Sequence, residues 1–561
     1  MPALDSSPSV SVPDAAIHDP RQRRAILIAV CIALMAVIAS VSGLNVAQPQ
    51  VAVAFDASQS TVLWMINIYT LSLAALLLPL GALGDRVGRK PILLAGLALF
   101  GVASAAAGLA TSSEMMIAAR LLAGVGAAMI MPVTLAVITS TFPDKERSKA
   151  IGVWTGVAGG GGILGMYLSA VLVDWANWRW LFLLPVVLVA AATVTALRAV
   201  PNSRDTSQHS FDMVGSLTSV IAVVALIYVL HEGPVHGWTS PVTVASLLVG
   251  VVAAFGFVAW ELRRAAPLLD VRLFRDRRLA SGSLALLALF GVQAGIFVVL
   301  FPYFQAVLGW SGLRSTLALM PMAAMMMFAS GLAPRVAARA GTRATMAAGI
   351  LLGGAGLALM ATLVSVNGGY LAILPGMLAM GLGMGLTQTP STEAITSALP
   401  RERQGVASAL NDVTREFGTA LGVALLGAVL TAGYRNAING RLDTIPGDAA
   451  DTAREGIANA IATADTAGTR APALIRAAQE SFVDGWQQAM WAGVAVMTIL
   501  FVYVLARGPL ASAVPTQGVA GNPARHSSRA SRAPRRAAIT FGEGRTCTSG
   551  KSRPADPLVI G

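Results

Sequence analysis

The chain has 561 residues, of which 55% are hydrophobic and only 12% are charged, and its mean hydropathy is +0.68. A soluble globular protein carries about twice that charged fraction. The composition therefore excludes a soluble globular protein and predicts a polytopic membrane protein. The net charge of +12 raises nucleic acid as a partner, and the distribution of the charge argues against it.

Most of the positive charge lies at the end of the chain. Residues 507–561 hold nine Lys or Arg and two acids, which is +7 of the +12. This segment is rich in Ser, Ala, Pro and Arg and has too little apolar content to fold. We therefore predict a disordered, basic cytoplasmic tail that is weakly attracted to anionic lipid and binds no nucleic acid. A binding site for a partner protein is the alternative.

Fourteen apolar segments reach the length of about 20 residues that a spanning helix needs. Residues 1–24, before the first of them, are predicted to be a cytoplasmic segment without the pattern of a secretory signal. Two connections are long, a basic one at 261–279 and a predicted outer loop at 434–486. The segments begin near Ala25, Val62, Pro91, Met115, Ala150, Trp178, Met213, Val242, Ala280, Thr316, Thr345, Tyr370, Gln404 and Gln487.

The distribution of Lys and Arg predicts the orientation. With the N-terminus inside, the inner segments hold thirty-one of these residues and the outer loops hold seven. Basic residues are enriched in the cytoplasmic loops of membrane proteins. Because the bias persists through all fourteen segments, both termini are predicted to be cytoplasmic.

A charged turn joins the second and third segments. Residues 81–90 read Gly-Ala-Leu-Gly-Asp-Arg-Val-Gly-Arg-Lys. Gly88 allows a tight turn and Gly81 allows a neighbouring helix to come close. The charged groups can pair with one another and with a helix end, which predicts a latch between moving parts. A solvated turn that only fixes topology is the alternative. The predicted gating residues are Gly81, Asp85, Arg86, Gly88, Arg89 and Lys90.

This stretch resembles the G-x-L-x-D-R-x-G-R-K loop of the major facilitator superfamily. Five further stretches resemble its fourteen-helix drug:proton antiporter family: Asn45 to Pro49, the residues from Trp64 to Leu78, those from Arg120 to Pro132, Trp178 to Trp180, and the start of the thirteenth segment. The resemblance implies an all-α integral membrane fold of 6+2+6 helices. The first half is 25–200, the inserted helices and basic loop are 201–279, and the second half is 280–506.

The same resemblance implies what the protein does. It indicates a secondary transporter of a bacterial-type plasma membrane that couples proton entry to export of small lipophilic compounds, with no cofactor, metal or enzymatic activity. The sequence has no phosphate-binding loop and no His/Cys pattern with metal-ligand spacing. The alternatives are an uptake or facilitative carrier for a polar metabolite, and a membrane sensor or scaffold.

Two departures from the family indicate a divergent subgroup. Ser40 stands where the family usually has an aspartate in helix 1, and a serine cannot carry a proton near neutral pH. Residues 165–170 also lack the Gly-Pro and paired glycines that the family has late in helix 5. Coupling, if present, must therefore use another group.

Ionisable residues inside spanning segments are costly and are functional candidates by default. Asp412 and Glu416 are four residues apart and share a face of helix 13, with Arg415 between them. Arg120 lies about one turn inside helix 4. These four are the predicted proton-coupling residues. The alternatives are a self-neutralised structural cluster and an arginine that reaches the outer interface.

The resemblance assigns Asp85 a different role, because the family's acid in this loop faces the helix equivalent to helix 13. Asp85 is expected to hold the inner side closed near Gly405. Polar residues within the spans are candidates for the wall of a substrate cavity, and each could instead bond a neighbouring helix. They are Asn45, Gln48, Asn67, Tyr69, Gln293, Gln388 and Asn411.

Overall fold

The computed structural model describes residues 17, 19–203, 211–442 and 447–509. All regular secondary structure in these ranges is helical, and fourteen helices are long and apolar enough to cross a membrane. The predicted all-α class and number of spans are confirmed. Most of the predicted cytoplasmic segment 1–24 (residues 1–16 and 18) and most of the predicted tail 507–561 (residues 510–561) lie outside the described residues.

Six spanning helices form the first half. Side-chain caps begin several of them: the Ser58 hydroxyl accepts from the amide of Thr61, and the Ser112 hydroxyl accepts from the amide of Met115. The six are α1 (Pro20–Val46), α2 (Gln59–Val87), α3 (Arg89–Gly108), α4 (Ser113–Thr141), α5 (Asp144–Trp175) and α6 (Leu183–Ala199).

The next two spanning helices pack against each other. The first of these two also packs against helix α2 of the first half. Ala74 and Ala75 of α2 are buried against Val223 and Ile227. The two are α7 (Met213–His236) and α8 (Pro241–Glu261).

The last six spanning helices form the second half, which has its own apolar core. Close backbone approach holds α9 against α13, where a Cβ on Gly422 would lie 1.8 Å from the carbonyl oxygen of Gly291. The six are α9 (Arg277–Pro302), α10 (Met320–Ala340), α11 (Thr342–Leu363), α12 (Gly369–Thr396), α13 (Gln404–Asn439) and α14 (Ala471–Arg507).

The two halves meet mainly along three pairs of helices, α2 with α13, α4 with α13 and α5 with α10. Because the number of spans is even, α1 begins and α14 ends on the same face of the bundle. We call this face the terminal face. The end of α2, the start of α13, the start of α5 and the end of α10 all lie there.

The long connection at 434–486 is mostly helical, which the sequence did not predict. α13 continues to Asn439, two short helices follow at Gly447–Glu455 and Ile457–Ala462, and α14 begins at Ala471, well before Gln487. Hydropathy marks only the membrane-crossing part of a helix. Polar contacts support the extensions beyond it, including the 2.8 Å ion pair of Arg441 with Asp484.

Candidate functional site

The charged turn between α2 and α3 is almost entirely helical. Asp85 lies in the last turn of α2, α3 begins at Arg89, and Gly88 is the single residue between the two helices. Gly88 has φ +123°, a conformation that residues with a Cβ rarely adopt. The turn therefore places Asp85 and Arg89 side by side at the terminal face.

The carboxylate of Asp85 binds the N-terminus of α13. Its two oxygens accept hydrogen bonds from the amides of Gly405 (2.8 Å) and Val406 (3.1 Å). The first amides of a helix have no partner within the helix and carry partial positive charge. Asp85 is 4% exposed, so this charge-assisted contact joins the two halves away from water.

Arg89 extends the same contact. Its Nη2 lies 2.8 Å from Oδ1 of Asp85 and also donates to the carbonyl oxygen of Arg401 at 2.9 Å. Arg89 is 3% exposed. A buried carboxylate and guanidinium thus join α2, α3 and the segment that leads into α13. The terminal face is closed between the halves in this structure.

The other predicted gating residues are placed differently. Gly81 lies against α13, since a Cβ there would be 2.6 Å from the carbonyl oxygen of Gly405. Lys90 donates to the carbonyl oxygen of Leu197 on α6 at 2.8 Å, within the first half. Arg86 is exposed, and no ion pair within 4.0 Å joins it to another described residue.

Exposed and partly buried contacts accompany the buried one. Asp144 at the start of α5 pairs with Arg401 at 2.9 Å and with Arg147 at 2.6 Å, and Ser148 bonds Glu393 of α12. The side chain of Asp144 is 76% exposed. Exposed ion pairs contribute about 0–1 kcal/mol, so the Asp85 contact is the stronger link.

The Gly405→Ala variant tests the close approach of α2 and α13. A Cβ at position 405 would lie 2.3 Å from the carbonyl oxygen of Gly81, so the helices must separate. We expect overpacking to destabilise the closed state by about 1–3 kcal/mol and to lower the midpoint of thermal unfolding in detergent. Gly427→Ala on the same helix is the control, because its Cβ would meet only a Val298 methyl at 3.9 Å. Equal midpoints for the two variants would contradict the close approach.

A second charged cluster lies deeper on α13. Asp412 is eight residues from the start of the helix, about 12 Å into it, and is fully buried. Its Oδ1 is 3.6 Å from Nη1 of Arg415 and accepts a hydrogen bond from the side-chain Nδ2 of Asn411 at 3.1 Å. Its Oδ2 has no hydrogen-bond partner among the described residues.

Aromatic rings surround the guanidinium of Arg415. It stands 4.4 Å from the ring centre of Phe290 on α9 and 5.7 Å from that of Trp154 on α5. Cation–π attraction of this kind stabilises a desolvated cation. The pairing of Arg415 with Asp412 is therefore loose, and the carboxylate keeps one oxygen free.

Glu416 lies one turn beyond Asp412 and about 18 Å into α13. It is partly buried, and no described cation comes within 4.0 Å of it. Asp412 and Glu416 share a face of the helix, as their spacing predicts. The structure thus brings together two carboxylates and one arginine with incomplete hydrogen bonding, an arrangement that can take up a proton.

Arg120 lies about 10 Å inside α4 and is 1% exposed, so it does not reach the interface. Its Nη1 donates to the hydroxyl of Ser40 at 2.8 Å, and its guanidinium stacks 4.2 Å from the ring centre of Tyr69. Its Nη2 has no partner among the described residues. Arg120 therefore lies about two turns inside α4, deeper than the one turn that the sequence predicted.

The sequence did not predict that Ser40 and Arg120 touch. Ser40 is the position where the related family carries an acid, and it lies beside a buried arginine. No described carboxylate lies within 4.0 Å of Arg120. The only signal in the sequence was that both residues depart from the apolar pattern of their helices, and nothing in it linked one to the other.

The cavity candidates divide into two groups. The amide oxygens of Gln293, Gln388 and Asn411 are buried and have no hydrogen-bond partner among the described residues. Tyr69 is fully buried and donates to the carbonyl oxygen of Val37 at 3.2 Å, so it bonds a neighbouring helix. Gln48 and Asn67 are partly buried. The side chain of Asn45 lies outside the described part.

Several hydroxyl groups near these amides were not predicted. They are buried on α12 and α13 and have no hydrogen-bond partner in the described part of the chain: Ser391, Thr392 and Ser408. Between the halves, Thr155 of α5 bonds Thr389 of α12 at 2.7 Å. Buried polar groups without partners are rare in folded proteins, so these amides and hydroxyls stay candidates for the wall of a substrate cavity.

Comparison with known proteins identifies the family. A sequence model described as Major Facilitator Superfamily matches residues 30–423. The chain is 34% identical over 442 residues to "Multidrug efflux pump LfrA" of Mycolicibacterium smegmatis, covering 78% of this chain and 87% of that protein. It is 33% identical to "Tetracenomycin C resistance and export protein" of Streptomyces glaucescens, covering 72% and 76%.

Solved structures agree on the fold. The human organic anion transporter MFSD10 (TETRAN) superposes with a TM-score of 0.57 at 15% identity, covering 87% of this chain and all of that one. At this identity the likeness concerns the fold alone. Together with the fourteen spanning helices, these matches establish that the chain belongs to the Major Facilitator Superfamily and is a multi-pass transporter of the bacterial plasma membrane, not an enzyme.

Proposed function

We propose that this protein exports small lipophilic compounds, drugs among them, by alternating access coupled to proton entry. The names of its relatives, which are drug-resistance and export proteins, support the export of drugs. The observation that supports proton coupling is the pair of carboxylates on α13. Asp412 is buried and one of its oxygens has no hydrogen-bond partner, and Glu416 has no cation partner among the described residues.

The distribution of basic residues supports an orientation in the membrane. The terminal face is assigned to the cytoplasm, because the segments on that side hold thirty-one of the forty Lys and Arg. The Asp85 contact then closes the cytoplasmic side. In this state substrate exchanges with the outside, and proton binding precedes the return to the cytoplasmic-open state.

Helix α13 connects the proton site to the latch. Its first amides bind Asp85, and Asp412 follows about 10 Å further along the same rigid helix. A proton on Asp412, taken up directly or passed on from Glu416, removes the charge that balances Arg415. The guanidinium then loses its partner, which biases α13 toward the arrangement in which Asp85 releases the helix end.

A facilitative carrier is the second candidate, and Ser40 is the observation that favours it. The position that holds an acid in the related family holds a hydroxyl here, bonded to Arg120. If the acids on α13 do not carry protons, transport would run down the substrate gradient alone.

Everted membrane vesicles test the proposed function. A panel of fluorescent lipophilic cations would be offered with an inside-acid proton gradient, and with the gradient collapsed by nigericin. We expect accumulation inside the vesicles only with the gradient. Equal accumulation under both conditions would favour the facilitative carrier, and no movement of any compound would contradict drug export.

The Ser40→Asp variant tests the environment of Arg120. A carboxylate at this position replaces a hydroxyl 2.8 Å from Nη1 and gives the buried guanidinium a charged partner. Hydrogen bonds to charged groups contribute about 1.5–3 kcal/mol, so we expect a higher midpoint of thermal unfolding at neutral pH. Ser40→Asn, which has the same shape without the charge, should not show this increase. A rise of equal size in both variants would contradict the unpaired state of Arg120.

A further inference from the structure

A cavity of about 550 Å³ opens at the terminal face between α1, α5 and α10. It lies apart from the Asp85 contact and from the cluster on α13. Residues of the first half form most of its wall, and Gly331 and Arg335 of α10 close it from the second half.

The charged residues of the cavity are mostly cations. Arg23, Arg24, Lys149 and Arg335 line it, with Glu146 as the single acid. Glu146 pairs with Arg23 at 3.1 Å. No described acid lies within 4.0 Å of the other three cations. They come from three different helices, so the cavity gathers positive charge that the described residues leave unbalanced.

The remaining wall is apolar and leads away from these cations. Leu27, Phe142, Ala150 and Val153 contribute to it. Val153 is 44% exposed and lies one to two turns deeper along α5 than Lys149 and Glu146. Cations at the membrane surface and an exposed apolar wall below them match an amphiphile with an anionic head.

We propose that this cavity binds the phosphate headgroup of an anionic phospholipid, with the start of its acyl chains along α5. The cations of the cavity favour an anionic ligand. The apolar wall favours a lipid over free phosphate, because it can contact an acyl chain. Helices α5 and α10, one from each half, both line the cavity and are in contact at this face, where a Cβ on Gly152 would lie 2.7 Å from the carbonyl oxygen of Ser330. Bound lipid therefore stabilises the state that is closed at the terminal face.

Lipid binding to the purified full-length protein tests the proposal. Phosphatidylglycerol, phosphatidylcholine and inorganic phosphate would each be titrated in neutral detergent, with bound lipid counted by native mass spectrometry and thermal unfolding followed in parallel. The Lys149→Ala/Arg335→Ala variant removes two cations of the cavity. Arg339→Ala/Arg343→Ala is the matched control, since it removes the same charge from the same face outside the cavity.

We expect phosphatidylglycerol to raise the unfolding midpoint of the unaltered protein and phosphatidylcholine to leave it unchanged. The cavity variant should bind phosphatidylglycerol about tenfold more weakly, and the control less than about twofold. Unfolding without lipid shows whether each variant is folded, and the single variant Arg335→Gln replaces the double one if it is not. Equal loss in cavity and control variants would overturn the proposal, as would inorganic phosphate binding as tightly as the lipid.

Discussion

The Asp85→Asn variant is expected to open the terminal face and to abolish uphill transport. The carboxylate accepts two amide hydrogen bonds from α13 and pairs with Arg89, all in a buried setting. An asparagine removes the charge and leaves the guanidinium unpaired. Breaking a buried ion pair in this way costs about 3–5 kcal/mol. That free energy shifts the balance between closed and open states by more than about 100-fold.

Thiol labelling measures this shift. Ser408→Cys, in a background where Cys31 and Cys547 are serine, places a reactive group at a fully buried position of α13. Labelling from the terminal face should be slow with Asp85 present and fast in Asp85→Asn. Asp144→Asn is the control, because its ion pairs at the same face are exposed and weak. Slow labelling in Asp85→Asn would show that this contact does not hold the face closed.

The double variant Asp412→Asn/Glu416→Gln is expected to lose proton-driven accumulation while it keeps substrate exchange. Neither amide can take up and release a proton, so the proton gradient can no longer drive transport. Accumulation should fall at least tenfold, to the level seen without a gradient. Exchange of labelled for unlabelled substrate should stay within about threefold, because it needs no net proton movement.

Thermal stability should distinguish the single variants of the two acids. Asp412→Asn leaves Arg415 as a buried charge without its partner, so this single variant should lower the midpoint of thermal unfolding. Glu416→Gln should leave it unchanged, since no described cation pairs with Glu416. Glu480→Gln, which alters a partly exposed acid near the start of α14, is the control for transport. Persistent uphill accumulation in the double variant would rule out these carboxylates as the proton carriers.

Much of the fold could be predicted from the sequence, because a bilayer requires long apolar helices. The fourteen segments rest on this constraint, whereas the 6+2+6 order came from the resemblance to a known family. The extent of α13 and α14 could not be predicted, because their outer turns are polar and are stabilised by contacts such as Arg441 with Asp484. Such pairs join residues more than forty positions apart, and no periodicity reveals them.

The candidate site was only partly predictable. Asp412 and Glu416 are four residues apart, so they share one face of a helix whatever that helix packs against. Their proximity could therefore be predicted from the sequence. The rings of Phe290 and Trp154 beside Arg415 come from two other helices and depend on tertiary packing. The contact of Arg120 with Ser40 depends on the same packing, since the two residues lie eighty positions apart.

Proton flux in liposomes tests the central claim most directly. The purified protein would be reconstituted with a pH-sensitive dye trapped inside, a proton gradient imposed, and lipophilic compounds added one at a time. We expect a transported compound to drive proton movement in the opposite direction, and Asp412→Asn/Glu416→Gln to abolish this proton movement. Transport of the compound at the same rate without any proton movement would contradict antiport.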